Sequence, residues 1–275
     1  MTNNKIKRAT SIRLAFIGKG GAGKSIIAGT LARVLAQRGH QVLALDVDTM
    51  PGLAQSIGLP LEARKDEGIP PDYGERQEGR GWVLKDGVEV DDLVAQYALD
   101  APDGIRFLQL GKLPGRVKPG STTAFRAVLS QYRAKGWSLI GDLAAGTRQP
   151  FFGWSNFAQI ILIVVEPSAK AVLSAHRLAK LTQWPLGEGE QPARFGLVAN
   201  KIRNEAELQA LQQMLAATAV HGFPILATIP YDEGAAVAEQ KGQAVIECGR
   251  EMAIVQAIEE LANVLEQMNS EEVIL

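Results

Sequence analysis

Gly18-Lys19-Gly20-Gly21-Ala22-Gly23-Lys24-Ser25 fits the pattern G-x-x-x-x-G-K-[ST], between an apolar run and a stretch with helical apolar spacing. In that setting glycines let backbone N–H groups turn inward around phosphate oxygens. A lysine brings positive charge to the β- and γ-phosphates, and a hydroxyl joins the shell of Mg²⁺. Lys24 and Ser25 hold the last two places. Gly18, Gly20 and Gly23 also satisfy G-x-G-x-x-G, the turn of dinucleotide-binding proteins, and Asp46 stands where a ribose-binding acid would be. The lysine and hydroxyl decide against that alternative, because a dinucleotide turn binds its pyrophosphate without them. Asp46-Val47-Asp48 closes the next apolar run. Alternation along an extended chain points both carboxylates to one side, the side expected to face the phosphates.

These residues need a scaffold. Short apolar runs rich in β-branched residues recur at Ile12–Ile17, Val42–Asp46, Ile105–Leu110, Ser138–Leu143, Ile160–Val165, Phe195–Ala199 and Ile225–Ile229. Each reads as a strand buried on both faces. Helical spacing lies between most of them, as in Ile26, Ile27, Leu31, Val34 and Leu35. Alternating βα units predict an α/β fold, a mostly parallel sheet of about seven strands with helices on both faces. Fifteen charged residues mix with glycines and Pro70-Pro71 between Glu62 and Asp92, so 62–92 reads as a charged insertion, partly loop. Strands of one type resume on either side with no Gly/Ser linker, and 1–275 reads as a single domain. Ile254, Ile258, Leu261, Leu265 and Met268 share one helical face and predict a C-terminal helix over 250–269.

Composition narrows the chemistry further. A chain of 275 residues, 46% hydrophobic and 21% charged, is neither disordered nor a disulfide scaffold. Its single cysteine, Cys248, excludes an intrachain disulfide or a C-x-x-C site and reads as a small buried apolar residue. His40, His176 and His221 lie far apart, without metal-ligand spacing. No apolar run approaches the roughly 18 residues of a transmembrane helix, and Met1–Ser11 lacks a signal-peptide core, so a soluble, cytoplasmic protein is expected. A net charge of −1 removes the global basic excess usual in sequence-independent nucleic-acid binders.

Lys19 makes the loop read K-G-G-x-G-K-S, which resembles the deviant Walker A signature of the MinD/ParA ATPases. That family includes nitrogenase iron protein and the CooC maturation factors of carbon monoxide dehydrogenase, and the resemblance runs from about Arg13 to Tyr231. It implies a P-loop NTPase fold, ATP/ADP and Mg²⁺ as ligands, and a homodimer with ATP in which Lys19 reaches the partner's phosphates. It implies that Asp48 positions the attacking water and that Asp46 lies near Mg²⁺ through the water shell. Asp142-Leu143-Ala144-Ala145-Gly146 matches the family's D-x-x-x-G switch, whose aspartate supports the metal. Asn200-Lys201 falls where family members place an asparagine beside the purine, and Pro230-Tyr231-Asp232 resembles the adenine-side loop. The guanine pattern N-K-x-D needs an acid at 203; Arg203 stands there, so ATP is expected. Two departures are visible. Thr49-Met50-Pro51-Gly52 replaces the usual Pro with Gln or Asn after the acids, and Ile26 replaces a second hydroxyl at the α-phosphate, which predicts weaker nucleotide binding.

What such an ATPase serves is less directly written. Arg106, Lys112, Arg116, Lys118, Arg126, Arg133 and Lys135 lie between Gly104 and Gly141 with no acid among them, a possible docking stretch for an acidic protein or DNA. Gly115-Arg116-Val117-Lys118-Pro119 fits the frame in which CooC factors carry Cys-x-Cys-Pro, with basic residues in place of both thiols. Nickel delivery through that motif and a shared iron–sulfur cluster are therefore not expected. The expected function is an ATP-hydrolysing dimeric switch acting on an unidentified client in maturation, assembly or positioning. Its alternatives are a DNA-partitioning ATPase and a dimerising module with little hydrolysis. Six acids against one base from Arg250 to Leu275 argue against membrane binding.

Overall fold

The computed structural model of the protein describes residues 11–48, 52–63, 68–79, 81–110, 112–113, 116–117, 121–132, 136–144, 157–181 and 193–272. In chain order the elements are β1 (Arg13–Gly18), α1 (Lys24–Gln37), β2 (Val42–Asp46), α2 (Leu53–Ser56), β3 (Gly74–Gln77), β4 (Gly81–Leu84), α3 (Val90–Tyr97), β5 (Leu99–Asp100) and β6 (Arg106–Gln109). There follow β7 (Lys112–Leu113), β8 (Arg116–Val117), α4 (Ser121–Gln131), β9 (Ser138–Asp142), β10 (Ile160–Val165) and α5 (Ala169–Leu181). The chain closes with β11 (Arg194–Ile202), α6 (Glu205–Ala216), β12 (Ile225–Pro230), α7 (Glu233–Gln240) and α8 (Ala253–Glu272).

Eight strands form one sheet in the order β12-β11-β10-β1-β9-β2-β6-β5. The seven apolar runs are its seven parallel strands, and the eighth, β5, pairs antiparallel with β6 at the edge. Two residues are too few to carry a period, which is why β5 has no sequence signal.

Alternation divides the strand side chains between two cores. Leu14, Phe16, Val42, Ala44, Ile140, Leu162 and Val198 pack with α1, α2, α7 and α8 on one face. Ala15, Ile17, Leu43, Leu45, Leu139, Ile163 and Leu197 pack with α3, α4, α5 and α6 on the other. Both faces being covered explains the continuous apolar runs.

The stretch 62–92 holds more order than a loop. β3 and β4 pair as an antiparallel hairpin that lies on α4, and a Cβ on Gly74 would fall 2.6 Å from the Ala124 Cα. Cys248 departs from expectation: it is exposed. It ends the 3-10 turn Val245–Cys248, of which Val245 and Ile246 form the inward half. Among the described residues no helix is long and apolar enough to cross a membrane.

Candidate nucleotide site

β1 is central in the sheet, between β10 and β9, and its end delivers the glycine loop to the edge where the other parallel strands also finish. Open α/β sheets bind ligands at that edge. The loop is drawn tightly in: a Cβ on Gly18 would fall 2.6 Å from the Val164 carbonyl oxygen of β10. Gly23 has φ +94°, and a side chain there would also collide with the Asn200 carboxamide, so glycine is required on two counts. The Ala22 N–H closes a turn onto the Lys19 carbonyl at 3.2 Å, with Gly20 and Gly21 exposed at its apex.

α1 then begins at Lys24 with neither a side-chain cap nor an acid in its first turn. α6 and α7 differ, being capped by Asn204 and Asp232 and carrying Glu205, Glu207 and Glu233 in their first turns. Uncapped N–H groups and the positive end of α1 suit an anion. The Lys24 side chain is buried within the same loop.

The acids come from neighbouring strands in register. Asp46 of β2 pairs with Asp142 of β9, and both are fully buried. Ala44 and Ile140, two residues back, belong to the α1-side core, so both carboxylates point towards α1. There the Ser25 hydroxyl donates to Asp142 Oδ2 at 2.5 Å. Asp46 Oδ1 accepts from the Asp48 N–H at 3.0 Å, which fixes the approach of the next acid. A hydroxyl and two carboxylates converging beside a phosphate cradle are hard oxygen donors, the set that suits Mg²⁺ with its remaining positions left to water and phosphate. Among the described residues no three His, Cys, Asp or Glu side chains gather as a metal cluster. A shallow groove of about 90 Å³ runs beside this corner, lined by Ser25, Ile26, Gly52, Gln55 and Glu239 among others.

Asn200 and Lys201 do something the sequence did not suggest. Asn200 Nδ2 donates to the Ala22 carbonyl and Lys201 Nζ to the Gly21 carbonyl, each at 2.7 Å. Both residues brace the glycine loop from β11. Tyr231 is 40% exposed just beyond Pro230 at the end of β12, and the Arg203 guanidinium lies 4.5 Å from its ring centroid. Asp232 accepts from the Ala235 N–H at 3.3 Å, so its carboxylate serves as the cap of α7.

One participant was missed from sequence. Glu166, directly after β10, accepts from Lys19 Nζ at 2.8 Å, and Lys201 Nζ stands 3.7 Å from its second oxygen. Burial works to raise the Glu166 pKa, but the Lys19 hydrogen bond and charge, the Lys201 charge and the Ser168 hydroxyl together hold it below the usual carboxylate range. An acid closing an apolar strand was the available signal; its partner lies 147 positions away, so parallel pairing of β1 with β10 alone reveals the contact.

Other expected residues stand apart from this site. Arg106 turns to the Val94, Ala95 and Ala98 carbonyls at the end of α3, and Arg126 lies over the Trp82 ring at 5.1 Å. The other five cations of the basic stretch, Lys112, Arg116, Lys118, Arg133 and Lys135, have side chains outside the described residues, as do Thr49–Pro51, Ala145 and Gly146.

A buried lysine, a hydroxyl–carboxylate pair and an uncapped helix at the end of a central parallel strand define a P-loop nucleotide-binding protein. The chain belongs to the CobQ/CobB/MinD/ParA nucleotide-binding domain family, whose model matches residues 14–245. It is 30% identical to an uncharacterised ATP-binding protein of Methanocaldococcus jannaschii, over 85% of this chain and 91% of that one. It is 27% identical to the carbon monoxide dehydrogenase accessory protein CooC of Rhodospirillum rubrum, over 84% of this chain and 88% of that one. Its fold is that of the septum site-determining protein MinD of Pyrococcus horikoshii, solved with Mg-ADP, at a TM-score of 0.68 and 16% identity over 94% and 97% of the two chains.

Proposed function

We propose that the chain binds ATP with Mg²⁺, hydrolyses it to ADP and phosphate, and uses that cycle as a homodimeric switch on a client protein. The observation that carries this reading is the Ser25–Asp142 contact beside the buried Lys24, at the start of a helix with no cap of its own. Lys24 and the first N–H groups of α1 hold the β- and γ-phosphates. Gly18, Gly20, Gly21, Ala22 and Gly23 wrap those phosphates, and Ile26 borders the α-phosphate. Ser25, Asp142 and, through water, Asp46 hold Mg²⁺, which when bound offsets phosphate charge. Asp48 orients the attacking water. Lys19 reaches the phosphates of a second copy, where another cation stabilises charge on the transferred phosphoryl group. Asn200 and Lys201 keep the loop in shape beneath the base, and Pro230, Tyr231 and Asp232 line it.

A client that is itself being assembled or matured is the form favoured by the 27% identity to CooC, an accessory protein of another enzyme. The test uses Lys24→Ala and Lys19→Ala. The first abolishes ATP binding by calorimetry. The second leaves binding in place while removing ATP-induced dimerisation and most phosphate release. A Lys19→Ala protein that still dimerised and turned over ATP would overturn the role given to that lysine.

A further inference from the structure

The charged stretch 62–92 and the basic stretch that contains Arg126, neither of them used by the nucleotide site, meet where the β3–β4 hairpin lies on α4. In the hairpin Arg76 and Trp82 stand directly opposite each other. With Gly74 and Leu84 they share the side turned to α4, where a Cβ on Gly74 would meet Ala124. Arg126 of α4 completes the group. Its guanidinium carbon lies 5.1 Å from the Trp82 ring centroid, and that of Arg76 lies 5.7 Å from the same ring. Two cations are thus gathered on one indole. Burial, then the Arg76 charge, lower the Arg126 pKa from the ordinary guanidinium value, so both influences act against positive charge at this place. The acid next in sequence, Glu75, faces the other side of the hairpin, where the Gln77 amide donates to it at 2.7 Å.

We infer that Arg76, Trp82 and Arg126 form a docking site for the carboxylates of an acidic segment on a partner protein. This gives a chemistry to the client of the switch proposed above, and its biological use rests on that reading. Contact with a ring takes up the face of a guanidinium, whereas a carboxylate is bound at the edge, two bonds at a time, so one arginine can serve both. Arg76 is exposed and Trp82 and Arg126 are partly exposed, so the group reaches the surface. The indole there offers apolar contact to the methylenes of a glutamate. An incoming carboxylate also offsets the repulsion between the two guanidiniums, which a neutral partner does not. DNA fits this group less well. A duplex is held by about six to ten phosphate contacts, and the pair on this ring supplies two.

The test measures binding of a fluorescein-labelled oligoglutamate peptide to the full chain by fluorescence anisotropy, with ADP and Mg²⁺ present so that the glycine loop is not the site read. Arg76→Gln, on the exposed hairpin, is expected to weaken binding about two- to fivefold. Arg126→Gln, half-buried and fixed against the indole, is expected to weaken it about five- to twentyfold, and Arg126→Lys, which keeps the charge without the planar fork, to recover only part of that loss. Lys85→Gln removes an exposed cation just beyond β4 and is expected to leave binding as in wild type. Equal affinity in wild type and both Arg→Gln variants overturns the site, as does an equal loss in Lys85→Gln, which would mean diffuse attraction. A short DNA duplex bound more tightly than oligoglutamate through the same two arginines overturns the assignment to an acidic protein. Failure of the switch reading looks different: weakened peptide binding in the arginine variants of a protein that never hydrolyses ATP keeps this site and removes the switch.

Discussion

Ile26 shows how one side chain can tune this site. It follows Ser25 in the first turn of α1 and lines the groove beside that residue; in the nucleotide site proposed above, its methyl groups take the place of a hydroxyl that would reach the α-phosphate. Ile26→Thr adds a donor without disturbing the core, because Ile26 is only partly buried whereas Ile27 carries the packing. A net hydrogen bond of about 0.5–1.5 kcal/mol corresponds to an ATP affinity roughly two- to tenfold higher. Calorimetry giving the same Kd for both proteins would remove Ile26 from the α-phosphate. At this scale the sequence exposes loop chemistry well, since Lys24, Ser25 and the glycines act within eight consecutive positions. It conceals chemistry made across strands. Glu166 closes β10 as Asp46 closes β2 and Asp142 closes β9, but only strand order says that β10 rather than another strand lies next to the loop.

At the scale of elements, α1 is held by more than its apolar face. The Arg33 side chain, 8% exposed, donates to the Ile57 carbonyl at 2.9 Å and pairs with Asp103 and Glu247, tying α1 to the end of α2 and to two later turns. Arg33→Met leaves that carbonyl without its donor and takes the cation from the exposed Glu247 and from Asp103, which keeps its 2.8 Å bond from Gln37, and should cost about 1–3 kcal/mol in urea unfolding. A cost below about 0.5 kcal/mol would class the network with ordinary exposed pairs. Tyr132, just beyond α4, supplies a pH-dependent counterpart. Burial, then the Asp91 charge, push its phenol up to about 12, against Arg106 acting the other way. The unfolded chain therefore loses this proton first, near pH 10, so the contribution of Tyr132 is complete below that value and drains away as pH rises towards 12. Tyr132→Phe should lose less stability than wild type between pH 10 and 11.5, read as urea midpoints; parallel curves would show that the phenol does not titrate differently on folding. The seven parallel strands were legible because burial on both faces leaves a one-letter pattern in each. The β3–β4 hairpin was not, because its residues 74–84 alternate charge with glycine and gain their order from packing on α4 far along the chain.

For the whole molecule, the open choice is between a protein client and the phosphates of DNA, and charge placement decides how to ask. The net charge is −1, and a DNA-holding ATPase would need a local set of cations free to displace counterions. Two of the seven candidates, Arg106 and Arg126, are engaged inside the fold, with helix carbonyls and with an indole ring. Loss of those two weakens the case for the stretch as a phosphate-binding surface, whereas an acidic protein partner can be recognised by fewer charges joined to apolar contacts. Asp48→Ala should keep ATP bound while slowing its hydrolysis, so the closed form persists long enough to capture what it binds. With ATP this variant is expected to retain a protein partner at 200 mM salt and to show no ATP-dependent retention on DNA at 50 mM. DNA retention that required ATP and fell steeply between those salt concentrations, with a log–log slope of about −0.9 per phosphate contacted, would replace the client reading with one in which the switch rides on nucleic acid.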